Sequence, residues 1–304
     1  MATNSTFQLF SSSDDKPTLG LGFLDSSEPP LPPPPPSIEV FSSEVSSSVK
    51  FTVDPVNLDG LTLMKGRVST KEVFGLPNSD LVPGVYEGGL KLWEGSLDLV
   101  KALRTKVQNG QLSFTGKRVL ELGCGHGLPG IFACLEGAAI MHFQDFNAEV
   151  LKCLTIPNVN VNLLKKPQHS ETDDANCDAG PEVRFFAGDW SQIHQILPHV
   201  NDSEKDLNSC SEDGQTGGYD FILMAETIYS ISAQRNLYEL IKKCISRQHG
   251  VVYLAAKKHY FGVGGGTRQF LSMIEKDGVM ATRLVAEVAD GSSNVREVWK
   301  LSFK

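Results

Sequence analysis

Short apolar segments alternate with helical segments over most of this chain, and this alternation limits its fold more than any other feature. The apolar segments lie at 117–122, 138–143, 183–187, 219–225 and 251–256. The spacing of apolar residues predicts helices at 128–136, 148–164, 234–246 and 267–276, with the second interrupted at Pro157. Strands that alternate with helices are typical of an α/β fold with a mostly parallel sheet covered on both faces.

The end of the chain departs from this alternation. The apolar segments 280–288 and 295–303 follow each other without a helix between them, which predicts a hairpin and an antiparallel sheet edge. Two polar insertions, at about 165–181 and 199–218, are longer than ordinary connections, and we expect both to be loops.

The first 50 residues differ in composition from the rest. They hold eight of the 16 prolines, many serines and a net charge of -4. A segment of this kind buries too little apolar surface to offset the entropy lost on ordering. We therefore expect a disordered tail over 1–50 and one folded domain over 51–304.

The overall composition argues against several functions. A formal net charge of -8 is unlike that of broad nucleic-acid binders. No apolar run approaches the roughly 20 residues of a membrane helix, and the N-terminus lacks the pattern of a secretory signal. The six cysteines form no CxxC pair, so neither a metal site nor a disulfide framework is predicted. We expect a monomer in the cytoplasm, with residence in the nucleus left open.

Three glycines follow the first predicted strand and lead into a helix: Gly123, Gly125 and Gly127. Glycine permits a tight turn and lets a ligand approach the backbone closely. The spacing is GxGxG, whereas a dinucleotide site uses GxGxxG with helix N–H groups free for a pyrophosphate. The loop therefore favours a phosphate-free adenosyl ligand such as S-adenosylmethionine, with Glu121 or Glu94 as the carboxylate for its ammonium group.

Two further acids end neighbouring strands. Asp145 lies 22 residues after Gly123, where a Rossmann-like site has the acid that accepts both ribose hydroxyls. The alternative is a cap for the following helix. Asp189 and Trp190 follow the third strand and suit the adenine amino group and ring, although a capping Asp beside a partly buried Trp explains them as well.

Glu226 and Tyr229 follow the fourth strand, and ligands in open sheets bind beyond the carboxyl ends of strands. We expect them to face the transferred methyl group, with a helix-capping acid as the alternative for Glu226. The next loop holds the candidate substrate-binding residues, which we interpret as a lip for a substrate peptide or, equally, as a glycine-rich hinge. These residues are His259, Tyr260, Phe261, Gly264, Gly265 and Gly266.

The chain from about residue 53 resembles the histidine protein methyltransferases, which are seven-β-strand, class I S-adenosylmethionine-dependent enzymes. The segments that carry the resemblance are 85–94, 121–130, 144–147, 154–159, 226–229 and 258–266. It covers about four-fifths of the chain and implies a Rossmann-like seven-stranded sheet, mostly parallel, with one antiparallel inserted strand. It also implies a protein substrate, namely a large-subunit ribosomal protein methylated on the histidine ring nitrogen remote from the backbone.

The same resemblance implies which residues contact the cofactor. They are Trp93, Glu94, Ser96, Gly123, Gln144, Asp145, Phe146, Gly188, Asp189, Trp190 and Ala225. The broader family often has Asp where this chain has Glu226, and the Glu fits the histidine-modifying group. Some members carry a basic nuclear-import cluster after the second helix, and this chain has only Lys165 and Lys166 there.

A histidine side chain is a nucleophile that needs no strong base, because imidazole has a pKa near ~6.5 and already carries a lone pair. What it needs is the correct tautomer. We hypothesise that Glu226 fixes the tautomer by accepting the other ring N–H, while Tyr229 shapes the pocket.

Other functions remain open at this point. They are methylation of lysine or of a small molecule, nicotinamide-dependent oxidation, and non-catalytic binding of a ribosomal protein by a Rossmann-like module. The oxidoreductase would need GxGxxG spacing and a substrate domain, neither of which is evident.

Overall fold

The computed structural model describes residues 32–77, 79–164, 180–201, 217–289, 291 and 294–304. Residues 1–31 of the predicted tail, and most of the two predicted loop insertions, lie outside the described residues. Within the described ranges no helix is both long enough and apolar enough to cross a bilayer.

One eight-stranded sheet forms the centre of the fold. Its strands, in spatial order, are β1 (Ile38–Val40), β6 (Glu182–Ala187), β5 (Ile140–Asp145), β4 (Arg118–Leu122), β7 (Phe221–Ala225), β8 (Val251–Lys257), β10 (Arg296–Phe303) and β9 (Met280–Val288). The five strands from β6 to β8 are parallel, and β10 is inserted antiparallel between β8 and β9. The predicted Rossmann-like, mostly parallel sheet with its inserted last strand is confirmed, and one strand is added to the expected seven.

The added strand corrects the predicted boundary of the tail. Ile38–Val40 pairs antiparallel with β6, and Val40 is 1% exposed. The prediction of a disordered segment up to residue 50 is therefore wrong for this part. A three-residue strand between Pro- and Ser-rich stretches has too few residues to show a strand period.

Helices cover both faces of the sheet. They are α1 (Thr70–Phe74), α2 (Glu94–Gln108), α3 (Leu128–Leu135), α4 (Ala148–Val150), α5 (Ile156–Leu163), α6 (Ile231–Cys244) and α7 (Thr267–Asp277). Side chains alternate across each strand, so Val119 packs with α2, α3 and α5, whereas Leu120 packs with α6 and α7. The sequence pattern missed α1 and α2, and it also missed the two-stranded hairpin of β2 (Thr52–Leu58) and β3 (Leu61–Arg67).

The predicted interruption at Pro157 is replaced by a change of helix type. A π-helical turn, Leu151–Thr155, joins α4 to α5, and Pro157 lies in the first turn of α5. Proline is tolerated in the first turn of a helix. From α5, the Asn158 side chain donates to His126 O at 2.9 Å, which holds the end of the glycine loop.

Candidate functional site

The glycine loop joins β4 to α3 at the carboxyl edge of the sheet. Gly123, Gly125 and Gly127 have φ values of 61°, 48° and 69°, in the left-handed region that favours glycine. A Cβ on Gly125 would lie 2.9 Å from the backbone oxygen of Gly89, and one on Gly123 would lie 2.8 Å from Thr227 Cγ2. The loop therefore packs directly against two other segments, and side chains are excluded there by backbone angle and by space.

Asp145 ends β5 and binds the glycine loop. Its Oδ2 accepts the Gly125 N–H at 2.9 Å, and its Oδ1 accepts the Asn147 N–H at 3.1 Å. The side chain is 4% exposed, and this burial raises the pKa of Asp145 to about 6 despite the two hydrogen bonds. The helix-cap alternative is not favoured, because α4 starts at Ala148 and the Asp145 bonds reach none of its N–H groups.

Gln144 connects the predicted cofactor segments to one another. Its Oε1 accepts the Trp190 indole N–H at 2.9 Å and the Gly123 N–H at 3.3 Å, and its Nε2 donates to Gly188 O at 2.9 Å. The side chain is fully buried. Gln144 therefore holds the two loops in place, while the partly exposed Trp190 keeps its ring available for stacking.

Asp189 makes local bonds that match the capping alternative. Its Oδ1 accepts the Ser191 N–H at 2.8 Å, and its backbone oxygen accepts from Gln192 and Ile193. A role toward adenine stays a prediction, as it does for the partly exposed Phe146.

Glu121 and Glu94, the two candidate partners for the ammonium group, differ in burial. Glu121 is 2% exposed, its Oε2 accepts the Gly130 N–H at 2.8 Å, and burial raises its pKa well above the usual range. The carboxyl thus ties β4 to α3 inside the core, and its role toward a ligand stays a prediction. Glu94 begins α2, with its carboxylate about half exposed and 3.9 Å from Lys257 Nζ.

Two buried hydroxyls without hydrogen-bond partners among the described residues lie at the same carboxyl edge of the sheet. Ser96 Oγ, in the first turn of α2, and Thr227 Oγ1, beside Gly123, are buried and have no hydrogen bond within the described part of the chain. Buried hydroxyls are almost always bonded, so these two call for a partner that the described residues do not supply. Trp93 precedes them, with its indole N–H bonded to Gly88 O at 3.0 Å.

Glu226 follows β7, after Ala225, in a strained conformation. Its φ is 60°, which is uncommon for a residue with a side chain and typical of functional sites. Its Oε1 accepts the Gly95 N–H at 3.2 Å, and its Oε2 accepts the Tyr260 hydroxyl. The carboxylate therefore caps α2, as the alternative interpretation proposed, and burial raises its pKa.

A second carboxylate–phenol pair lies beside the first. The Tyr229 hydroxyl donates to Glu87 Oε2, and the rings of Tyr229 and Tyr260 lie 6.4 Å apart, edge to face. Sequence reasoning missed Glu87, although it stands in the 85–94 segment that carries the family resemblance. Nothing in the sequence indicated that it pairs with a residue 142 positions away.

The predicted substrate lip packs on the backbone next to Tyr229. Gly265 N donates to Tyr229 O at 3.0 Å, and Gly266 N donates to Ile228 O at 3.2 Å. A Cβ on Gly265 would lie 2.2 Å from Tyr229 O, so only glycine fits. Phe261, at the tip, is 74% exposed, and the substrate-binding role of this loop stays a prediction.

The sheet order, the glycine loop and the acid at the end of β5 define a class I, Rossmann-like methyltransferase fold. No protein-family model matches the chain. Histidine protein methyltransferase 1 homologs of Dictyostelium discoideum and Rattus norvegicus are 38% and 37% identical, each over 75% of this chain. An EEF1A lysine methyltransferase 3 of Mus musculus is 25% identical over 55% of this chain and 55% of its own length.

Over three quarters of its length, this chain is thus a homologue of the histidine protein methyltransferases, which confirms the resemblance seen in the sequence. The chain spans about three fifths of these relatives, 62% of the Dictyostelium protein and 60% of the rat protein.

Proposed function

We propose that this chain is an S-adenosylmethionine-dependent protein-histidine methyltransferase. The observation that carries the proposal is a shared position: the glycine loop, Asp145 and two partly buried carboxylate–phenol pairs lie together at the carboxyl edge of the sheet. Similarity to relatives named for histidine methylation supports the same function.

The residues present fit S-adenosylmethionine, which supplies an electrophilic methyl group on a sulfonium. Asp145 would accept the ribose hydroxyls, Trp190 would stack on adenine, and Glu94 would pair with the ammonium group. The unpartnered hydroxyls of Ser96 and Thr227 suit the polar atoms of such a ligand.

The polar groups around Tyr229 and Tyr260 suit an imidazole substrate. A neutral imidazole has one N–H to donate and one lone pair to attack with, so the pocket must supply an acceptor but no strong base. A lysine, with a pKa near ~10.4, would first have to lose a proton. Lysine methylation is the second candidate, favoured by the more distant lysine-methylating relative.

We assign Glu226 to holding the start of α2 and the Tyr260 ring, because it accepts the Gly95 N–H and the Tyr260 hydroxyl. This assignment differs from the hypothesis drawn from the sequence, and we propose a different acceptor for the substrate N–H.

The substrate we propose is a large-subunit ribosomal protein, methylated on the remote ring nitrogen, Nτ. Cytoplasmic residence and a monomeric state belong to the same proposal. The ribosomal substrate rests on the family resemblance.

The test is methyl transfer from tritiated S-adenosylmethionine into proteins extracted from large ribosomal subunits, followed by hydrolysis and amino-acid analysis. We expect the label in Nτ-methylhistidine, and none with the Asp145→Asn variant. Label in methyl-lysine would support the second candidate, and cofactor binding without any turnover would support a non-catalytic module.

A further inference from the structure

We propose that Glu87, acting through Tyr229, holds the substrate histidine in the tautomer whose attacking ring nitrogen carries no proton. The inference rests on the proposed histidine methylation and adds a positioning residue to it.

The hydrogen bond between the two residues has only one possible direction. Glu87 Oε1 accepts the Gly84 N–H at 2.7 Å, and Oε2 accepts the Tyr229 hydroxyl. A tyrosine hydroxyl has a single hydrogen, so the Tyr229 oxygen can only accept further hydrogen bonds. Among the described residues, no other donor contacts that oxygen.

The Glu87 segment is held firmly beside the predicted cofactor site. The Asn147 side chain accepts the Glu87 N–H at 3.1 Å and donates to Val85 O at 2.8 Å. Next to it, a Cβ on Gly89 would lie 3.1 Å from Asp145 Oδ2. These contacts attach the Glu87–Tyr229 pair to the end of β5, next to the acid predicted to bind ribose.

The neighbouring Glu226–Tyr260 pair is less suited to this role. Glu226 is 6% exposed, and the Tyr260 oxygen already accepts the Lys257 N–H at 3.4 Å. Tyr229 therefore offers the free acceptor.

The acceptor decides which ring nitrogen carries the proton, because imidazole has two unequal nitrogens. When the Nπ–H donates to Tyr229, the lone pair lies on Nτ. That lone pair forms the new N–C bond as the methyl C–S bond breaks, and the bonding electrons leave with sulfur. The resulting imidazolium, stabilised by the Glu87 charge, then loses its Nπ proton to solvent.

The deciding variant is Glu87→Gln. The Gly84 N–H keeps the amide oxygen on its own side, so the amide NH2 faces Tyr229 and reverses the hydrogen bond. The Tyr229 hydrogen then points away from residue 87 and toward Nπ, which must be unprotonated to accept it. The substrate proton then lies on Nτ, and the attacking lone pair is lost. We expect kcat for Nτ methylation to fall roughly 10- to 100-fold, while the affinity for S-adenosylmethionine is unchanged.

Glu226→Gln makes the same chemical change in the other pair, and we expect a smaller fall in kcat than in Glu87→Gln. Tyr229→Phe removes the acceptor but supplies no competing donor, so its kcat should fall, though less than in Glu87→Gln, and this variant decides the question if Glu87→Gln fails to fold. The exposed Glu275→Gln controls for surface charge, and calorimetry with S-adenosylmethionine checks the cofactor site in each variant.

The substrate is again the large-subunit protein extract, and methylhistidine is measured by amino-acid analysis. An unchanged kcat in both Glu87→Gln and Tyr229→Phe would overturn the inference, and so would a fall in kcat in Glu226→Gln alone. Absence of methylhistidine with the unaltered protein would instead refute the proposed function itself.

Discussion

Asp145 makes cofactor affinity depend on pH in a direction that the structure predicts. Burial raises its pKa from 3.8 to about 6. In the cofactor-free site, ionising this carboxyl therefore costs about 3 kcal/mol more than it does in water. Donation by two ribose hydroxyls favours that charged form and lowers its pKa in the complex. Lowering the pH through 6 protonates the free site, and binding must then displace that proton.

The pKa of Asp145 also gives the expected size of the change in cofactor affinity. Between about pH 7.5 and about pH 5.0, the dissociation constant should rise about tenfold, or about 1.4 kcal/mol. Isothermal titration calorimetry with S-adenosylmethionine measures it directly, and near about pH 6 the heat should vary with the ionisation enthalpy of the buffer because about half a proton is released.

Asp145→Asn is the matched control, since it keeps the size of the side chain but removes the titrating group. The cofactor's own amine titrates alike with both proteins. Affinity that stays constant in the unaltered protein over this pH range, or an equal fall in Asp145→Asn, would refute this account of the site.

Three further substitutions probe the fold and the edge of the sheet. Gly125→Ala should lower the free energy of unfolding by about 2–3 kcal/mol through backbone strain and a clash, whereas Gly75→Ala, which has open space around it, should cost only about 1 kcal/mol; denaturant titration measures both. Val40→Ala should cost about 1–2 kcal/mol, against under about 0.5 kcal/mol for the exposed Val45→Ala, and equal costs would mean that β1 does not pack on the sheet in solution. Ser96→Ala should leave the melting temperature of the cofactor-free protein equal or higher, because a buried hydroxyl without a partner is lost, yet weaken cofactor binding in calorimetry; unchanged affinity would remove this hydroxyl from the site.

The order of strands and helices from β4 to β10, the glycine loop and the acid at the end of β5 can all be predicted from the amino-acid sequence. These features are local. Apolar periodicity reports which faces are buried, and the carboxyl ends of parallel strands must meet at one edge. The sequence pattern alone therefore groups Gly123, Asp145 and Glu226 at a single edge of the sheet.

The pairing of polar atoms, in contrast, depends on tertiary packing. Glu121 and Glu94 look alike in sequence, yet one is buried on Gly130 and the other is partly exposed near Lys257. Glu87 and Tyr229 are joined across 142 residues by a single hydrogen bond between two side chains. A bond of this kind leaves no periodic trace in the chain, because it depends on how distant segments pack, and that packing is set by the whole fold.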